Sequence, residues 1–260
     1  MSTTALPRPR RAGVRPIVGA LALAAVAWTL TVDRMSGMDA GPGTELGGLG
    51  WFAVTWLVMM AAMMLPALTP MVVAYSNRAS SPGTTVAFGA GYLAAWLVAG
   101  LAGYAVFEAL RALDLAFLAW DEGGRYVAAA VVIVAGLYQL TARKDMFLRR
   151  CCERRTFVRE QWRAGRLGAL RMGLNHGADC IGASWALMAA LFALGVMSLT
   201  WMTVVATLIA AERLLPRPAR PVAALVLIVL GAGVATAPAR VPGLTLPGAA
   251  PMQQMQMQMR

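Results

Sequence analysis

The sequence predicts an all-α protein, a polytopic bundle of about seven transmembrane helices, and two observations lead to this prediction. Of its 260 residues, 59% are hydrophobic and only 13% are charged, and the mean hydropathy is +0.62. A soluble domain carries about 25% charged residues, so this chain has too little polar surface to cover a water-facing globule. Its apolar residues also come in long blocks separated by short polar stretches, as in segments that cross hydrocarbon.

Seven apolar blocks give the predicted spans. They cover residues 17–32, 51–75, 85–110, 125–141, 172–194, 199–215 and 221–237. Residues 1–16 form a basic N-terminus before the bundle at 17–237, and residues 238–260 form a Met/Gln-rich tail after it. We expect the basic segment 143–166 to lie as a helix on anionic lipid headgroups, and the tail to be disordered.

The basic residues predict the orientation. With the N-terminus in the cytoplasm and the C-terminus outside, five of the 23 basic residues fall on the outer side and 18 on the cytoplasmic side, as the positive-inside rule requires. The net charge of +11 therefore indicates a multi-pass protein of a bacterial inner membrane. No nucleic-acid-binding motif accompanies the charge, so the lipid bilayer is the expected partner. Two of the three cysteines fall on the cytoplasmic side, where thiols stay reduced.

Two spans carry features that bear on helix packing. In the second span, Pro66 and Pro70 remove backbone donors, so we expect a kink or break after Met64 that faces protein or a small polar cavity. In the third span, small residues recur at every fourth position and predict close packing against another helix. They are Ala87, Gly91, Ala95, Ala99 and Gly103.

The stretch from Asn175 to Met188 is the most informative for function. His176, the only histidine, is followed at intervals of four by Cys180, Ser184 and Met188, so these side chains share one helical stripe. Imidazole, thiolate and thioether together suit a soft metal, and thiolate with thioether favours Cu(I). We predict His176, Cys180 and Met188 as metal ligands.

Two acidic residues are candidates to orient the His176 ring from outside the ligand set. Asp179 lies three residues beyond His176, and Glu212 lies at the inner end of the sixth span. In the alternative interpretation, His176 and Asp179 simply pair at the cytoplasmic mouth of the helix while Cys180 packs as a small hydrophobe. Glu212 then pairs with an arginine at the interface.

Methionines supply further candidate ligands. Met63 or Met64 is expected to complete a low-coordinate copper site together with Met188, although methionine also serves as a gap-filler in helix packing. The Met-Gln tail at 238–260, with Met35 and Met38, would make a weak copper-collecting arm on the outer side. A disordered low-complexity tail without ligands is the alternative.

Five stretches match one known family: AMMLP at 62–66, GLYQL at 136–140 leading to Lys144, MGLNHG at 172–177 with Cys180, WALM at 185–188 and GVMSLTWM at 195–202. In these stretches the chain resembles the DUF2182 type of bacterial integral membrane proteins, a family of unknown function that is regarded as metal-binding. Glu212-Arg213 stands where the family usually has Glu-Lys. The resemblance runs from the second span to the sixth and implies a membrane metal protein.

The chain departs from the family at three thiols. The family usually carries Cys-Leu-x-x-Cys after the lysine, and residues 147–151 keep only Cys151. It also tends to have Cys-x-Gly-Cys-Cys before the tryptophan, where residues 180–184 keep only Cys180. Either the metal site is lost here, or it uses the reduced set of His176, Cys180 and methionines.

These observations predict a non-enzymatic membrane protein that binds or handles a soft metal, with Cu(I) as the cofactor and a metalloprotein or membrane complex as partner. The chain has no phosphate-binding glycine loop, no His-Glu-x-x-His and no serine nucleophile elbow. Two alternatives remain: a metal-free structural or assembly subunit of a membrane complex, and a small-molecule transporter with its substrate site at Pro66–Pro70.

Overall fold

The computed structural model describes residues 14–35, 46–79, 81–113, 123–196, 198–241 and 244. Across these ranges the chain forms nine α-helices and no strand. They are α1 (Arg15–Met35), α2 (Leu49–Ser76), α3 (Pro82–Ala112), α4 (Arg125–Tyr138), α5 (Ala142–Cys152), α6 (Arg154–Glu160), α7 (Gly165–Gly195), α8 (Leu199–Leu214) and α9 (Pro216–Thr236), followed by a 3-10 turn at Pro238–Arg240. Met38 and the Met/Gln repeats of the tail lie outside the described residues, so the predictions made for them stay predictions.

Five of the described helices are long and apolar enough to cross a membrane: α1, α2, α3, α7 and, over Pro218–Thr236, α9. α4 and α8 coincide with the fourth and sixth predicted spans but have only 14 and 16 residues, fewer than the roughly 20 that a hydrocarbon core requires. α4 and α5 together are apolar enough for a sixth span, bent by 65°. The chain therefore has the composition of a membrane protein, and the seven-span topology stays a prediction.

The two prolines do not break α2. This helix runs without interruption from Leu49 to Ser76, so the break expected after Met64 does not occur. Pro66 and Pro70 deprive the carbonyls four residues earlier, those of Ala62 and Pro66, of their helical donors. Ala62 and both prolines line a cavity, so this stretch of α2 lies beside a cavity, as the sequence predicts.

α3 and α7 pack closely through small residues. A Cβ on Gly91 of α3 would lie 2.1 Å from the Leu170 carbonyl oxygen, and one on Gly173 of α7 would lie 2.0 Å from the Phe88 carbonyl oxygen. Gly177 of α7 lies against Ala95. This contact confirms the small-residue face predicted for the third span and fixes α7 at the centre of the bundle.

The basic segment folds into α5 and α6 and turns back onto the bundle. Arg220 of α9 stabilises the bend between α4 and α5. Its guanidinium donates to the carbonyl oxygens of Gln139 (3.1 Å) and Thr141 (3.2 Å) and to Asp145 Oδ1 (2.7 Å). Thr141 caps α5 by accepting from the Lys144 amide. These bonds hold α5 in one orientation against α7 and α8.

Candidate metal centre

Two thiols and the single histidine meet where α5 packs against α7. Cys151 comes from the last turn of α5, and His176 and Cys180 lie one turn apart on α7. Their exposed fractions are 3%, 1% and 0%, respectively. His176 Nε2 lies 3.9 Å from Cys151 Sγ, and Tyr92 Oη lies 3.1 Å from Cys180 Sγ.

One arginine bridges both sulfurs. Arg213, at the end of α8, donates from Nη1 to Cys151 Sγ at 2.8 Å and from Nη2 to Cys180 Sγ at 2.7 Å. Because the two nitrogens belong to one rigid fork, both sulfurs must lie on the same side of the guanidinium. A single cationic group thus contacts both thiols.

A buried ion pair positions the helices that carry these groups. Lys144 Nζ donates to both carboxylate oxygens of Glu212, at 2.8 and 2.7 Å, and also to Gln139 Oε1. Lys144 precedes Cys151 by two helical turns on the same face of α5, and Glu212 adjoins Arg213 on α8. Two neighbouring polar contacts, Lys144 with Glu212 and Cys151 with Arg213, therefore join α5 to α8.

Aromatic rings surround the imidazole. The His176 ring lies edge-on to Phe157, with the centroids 5.2 Å apart, and 5.8 and 6.1 Å from the rings of Tyr92 and Phe88. His176 Nδ1 is buried and has no hydrogen-bond partner. The ring is therefore fixed by packing, and its Nε2 is the nitrogen that faces a sulfur.

A cavity of about 490 Å³ connects this site to the space between α2 and α8. His176, Cys151 and Arg213 line one part of it, and Cys152 joins them there. Along α8 the lining extends from Thr203 to Leu214, a rise of about 16 Å. The site formed by Cys151, His176 and Arg213 is therefore part of the wall of this elongated, largely apolar cavity.

The methionines predicted as ligands differ in whether they reach the cavity beside the thiols. Met63 lines the cavity, and so does Met71, which the sequence did not suggest. Met64 is fully buried and is not part of the lining. Met188 lies eight residues beyond Cys180, a rise of about 12 Å along α7, so it is too far away to share a metal with that thiol.

The two acidic candidates for orienting His176 are not in contact with it. Both Glu212 oxygens bind Lys144, which replaces the arginine or histidine partner expected from the sequence. Asp179 Oδ1 lies 4.0 Å from Arg150 Nη1 at the protein surface. His176 Nδ1 is left without either carboxylate, because both acids are satisfied by cations on other helices.

Cys151 and Arg213 belong to this candidate site, and the predicted ligand set lacked both. The sequence signal for Cys151 was its match to the second thiol of the family's Cys-Leu-x-x-Cys pattern. No local sequence pattern predicts the contact of Arg213 with the thiols, because Arg213 lies 62 residues after Cys151 and 33 residues after Cys180.

The donor set fits a soft monovalent metal. In the described part of the chain, no three His, Cys, Asp or Glu side chains are already arranged as a metal-binding group. Two thiols and an imidazole nitrogen are nevertheless the donors that Cu(I) accepts in low-coordinate sites. Arg213 now occupies the lone pairs that would face a metal, so the guanidinium has to shift when the ion binds.

Comparison with known proteins gives one match. Residues 53–236 of the 260 match the family model described as PpoB2, copper chaperone. No curated protein and no solved structure matches the chain significantly. The match extends from α2 to the end of α9 and includes Cys151, His176, Cys180 and Arg213. The chain therefore belongs to the PpoB2 copper chaperone family.

Proposed function

We propose that this protein is a multi-pass inner-membrane copper chaperone that holds Cu(I) between Cys151 and Cys180, with His176 Nε2 as a third donor. The observation that carries the proposal is the bridging of both thiols by Arg213 beside the only histidine of the chain. Copper is the cargo of such a protein rather than a catalytic cofactor, and we propose no enzymatic activity.

Each residue of the site has a chemical task in this proposal. The thiols of Cys151 and Cys180 lose their protons when the metal binds, because the thiolate is the ligand form. Sulfur donors and a low coordination number stabilise Cu(I), and the aromatic packing around His176 holds its ring in position. Lys144 and Glu212 hold α5 at the distance from α8 that this site needs.

The cavity supplies a route for the ion. Met63 and Met71 line it together with the site, and their thioethers are soft, neutral donors that can pass Cu(I) onward without binding it tightly. In the proposed orientation, the C-terminal ends of α2 and α8 face the cytoplasm. The thiol site then lies at the cytoplasmic end of the cavity, where a partner metalloprotein would give or receive copper.

Metal loading of thiol variants tests this proposal. The full chain, purified anaerobically in detergent, is incubated with Cu(I), desalted and analysed for metal by mass spectrometry. We expect near-stoichiometric copper in the wild type, loss of most of it in Cys151→Ser and Cys180→Ser, and weakened retention in His176→Ala. Cys152→Ser is the matched control, because this neighbouring thiol lines the cavity without contacting Arg213 through the bonds described, and it should retain copper.

A wild type that binds no Cu(I) would contradict the proposal and favour the alternative of a metal-free assembly subunit. Equal copper retention in Cys151→Ser and Cys152→Ser would mean that the metal binds elsewhere in the chain.

A further inference from the structure

We propose that Arg213 makes this site selective for a monovalent over a divalent metal ion, by fixing the buried charge that the metal complex must balance. The inference rests on the proposed function, because it takes Cys151 and Cys180 as the ligands. It assigns to Arg213 a role in ion selection that the family match does not describe.

The argument begins with the charges enclosed around the site. Lys144 and Glu212 contact each other directly, with 0% and 2% of their side chains exposed, and their charges sum to zero wherever the shared proton resides. Arg213 keeps its positive charge in any protein environment. His176 must be neutral to bind a metal. The protein therefore surrounds the two thiols with a fixed charge of plus one.

The charged residues around this site do not change its net charge of plus one. Asp145 pairs with Arg220 at 2.7 Å, and Asp179 lies 4.0 Å from Arg150, whose side chain is 58% exposed. Arg154, also at the cavity wall, is exposed, so water screens it. Only Arg213 brings an unbalanced charge into direct contact with the sulfurs.

Metal binding then has a preferred valence. Two thiolates with a monovalent ion carry a charge of minus one, which Arg213 neutralises. Two thiolates with a divalent ion are neutral, so the same site is left with one uncompensated positive charge. An unpaired charge in a low-dielectric interior is costly, and within a membrane protein it is normally paired. The bound state is therefore balanced only for a monovalent metal.

The position of Arg213 allows it to keep its contact with both sulfurs when the metal binds. Its side chain is only partly buried and lines the cavity, so the guanidinium can move outward and donate to the outer lone pairs of the sulfurs. Its Nε has no hydrogen-bond partner, and no other bond described for this side chain resists the movement. Arg213 is thus a positioning residue that binds the ligand sulfurs rather than the metal.

Competition between two soft ions of different valence tests the inference. The full chain in detergent is titrated anaerobically with Ag(I) and with Cd(II), each against a chelator of known affinity, and bound metal is measured by mass spectrometry. Both ions are redox-inert and thiophilic. They differ in charge and in preferred coordination number, and the second difference is the same for every variant, so a change of their affinity ratio between variants reports the effect of charge. We expect the wild type to prefer Ag(I), and Arg213→Gln to lower the ratio of Ag(I) to Cd(II) affinity about a hundredfold.

Two variants serve as controls. Arg213→Lys retains the charge without the fork and should keep the wild-type preference. Arg154→Gln removes a cation from the cavity wall, away from the sulfurs, and should also leave the preference unchanged.

The possible outcomes distinguish the role of Arg213 from the proposed copper binding. An unchanged ratio in Arg213→Gln, or an equal shift in Arg213→Lys, would overturn the role of charge while leaving metal binding by the thiols intact. A wild type that favours Cd(II) overturns the inference whether or not Arg213→Gln folds. A wild type that binds neither ion would instead refute the proposed function.

Discussion

Lys144 and Glu212 form an ion pair that is almost completely removed from solvent. Removing one partner leaves the other charge buried and unpaired, which typically costs about 3–5 kcal/mol. We therefore expect Lys144→Met to lower the free energy of unfolding by about this amount and to weaken Cu(I) binding, because α5 loses its link to α8. Thermal unfolding in detergent, followed by circular dichroism, measures the first effect.

Two further variants control for this result. Arg150→Gln removes a largely exposed cation and should cost about 0–1 kcal/mol. The double variant Lys144→Met with Glu212→Leu removes both charges and should recover much of the lost stability. A double variant no more stable than Lys144→Met alone would show that unpaired charge is not the cause.

At the residue scale, the sequence predicts part of the site. His176 and Cys180 lie one turn apart on α7, so the helical period alone places them together. Cys151 and Arg213 reach them only through the packing of α5 and α8, and no local pattern encodes such a contact. The sequence suggested an arginine or histidine partner for Glu212, and the partner is Lys144, because that choice also depends on how helices distant in the chain are arranged.

At the scale of the helices, the close contact between α3 and α7 gives the next prediction. Gly173→Ala would place a Cβ 2.0 Å from the Phe88 carbonyl oxygen, so the two helices must separate. Overpacking of this kind costs about 1–3 kcal/mol. We expect a correspondingly lower unfolding temperature and reduced copper retention, because α7 carries His176 and Cys180.

Gly89→Ala is the matched control for this contact. Gly89 lies on α3, and a Cβ there meets nothing within 4 Å, so this variant should be at least as stable as the wild type, since alanine favours a helix. Equal destabilisation by both substitutions would contradict the role assigned to the α3–α7 contact.

The helices themselves follow from the sequence more closely than the site does. Each of the seven predicted spans coincides with a described helix, because long apolar blocks have few other ways to satisfy their backbone. The errors lie at boundaries and prolines. α7 begins at Gly165, seven residues before the predicted start at Met172, and α2 continues through Pro66 and Pro70. The start of α7 lies in its contact with α3, where Leu170 meets Gly91, and the two prolines of α2 lie beside the cavity, so tertiary surroundings accompany both differences.

At the scale of the whole molecule, the predicted topology can be tested with reporter fusions. With seven spans and a cytoplasmic N-terminus, alkaline phosphatase fused after Arg260 should be active. Green fluorescent protein fused after Gln161, which follows α6, should fluoresce because that segment lies inside. With an even number of spans, alkaline phosphatase after Arg260 would be inactive. With the opposite orientation of the bundle, alkaline phosphatase would be inactive and green fluorescent protein would not fluoresce.

In the predicted seven-span topology, the short spans α4 and α8 have a consequence for the surrounding lipid. Their 14 and 16 residues rise about 21 and 24 Å, against a hydrocarbon core of about 30 Å. A bilayer meets such a mismatch by thinning locally. Lys144 lies just beyond the end of α4, and Arg213 lies in the last turn of α8. The headgroups would therefore dip toward the thiols, and a copper ion would travel less hydrocarbon depth here than anywhere along α2, α3 or α7.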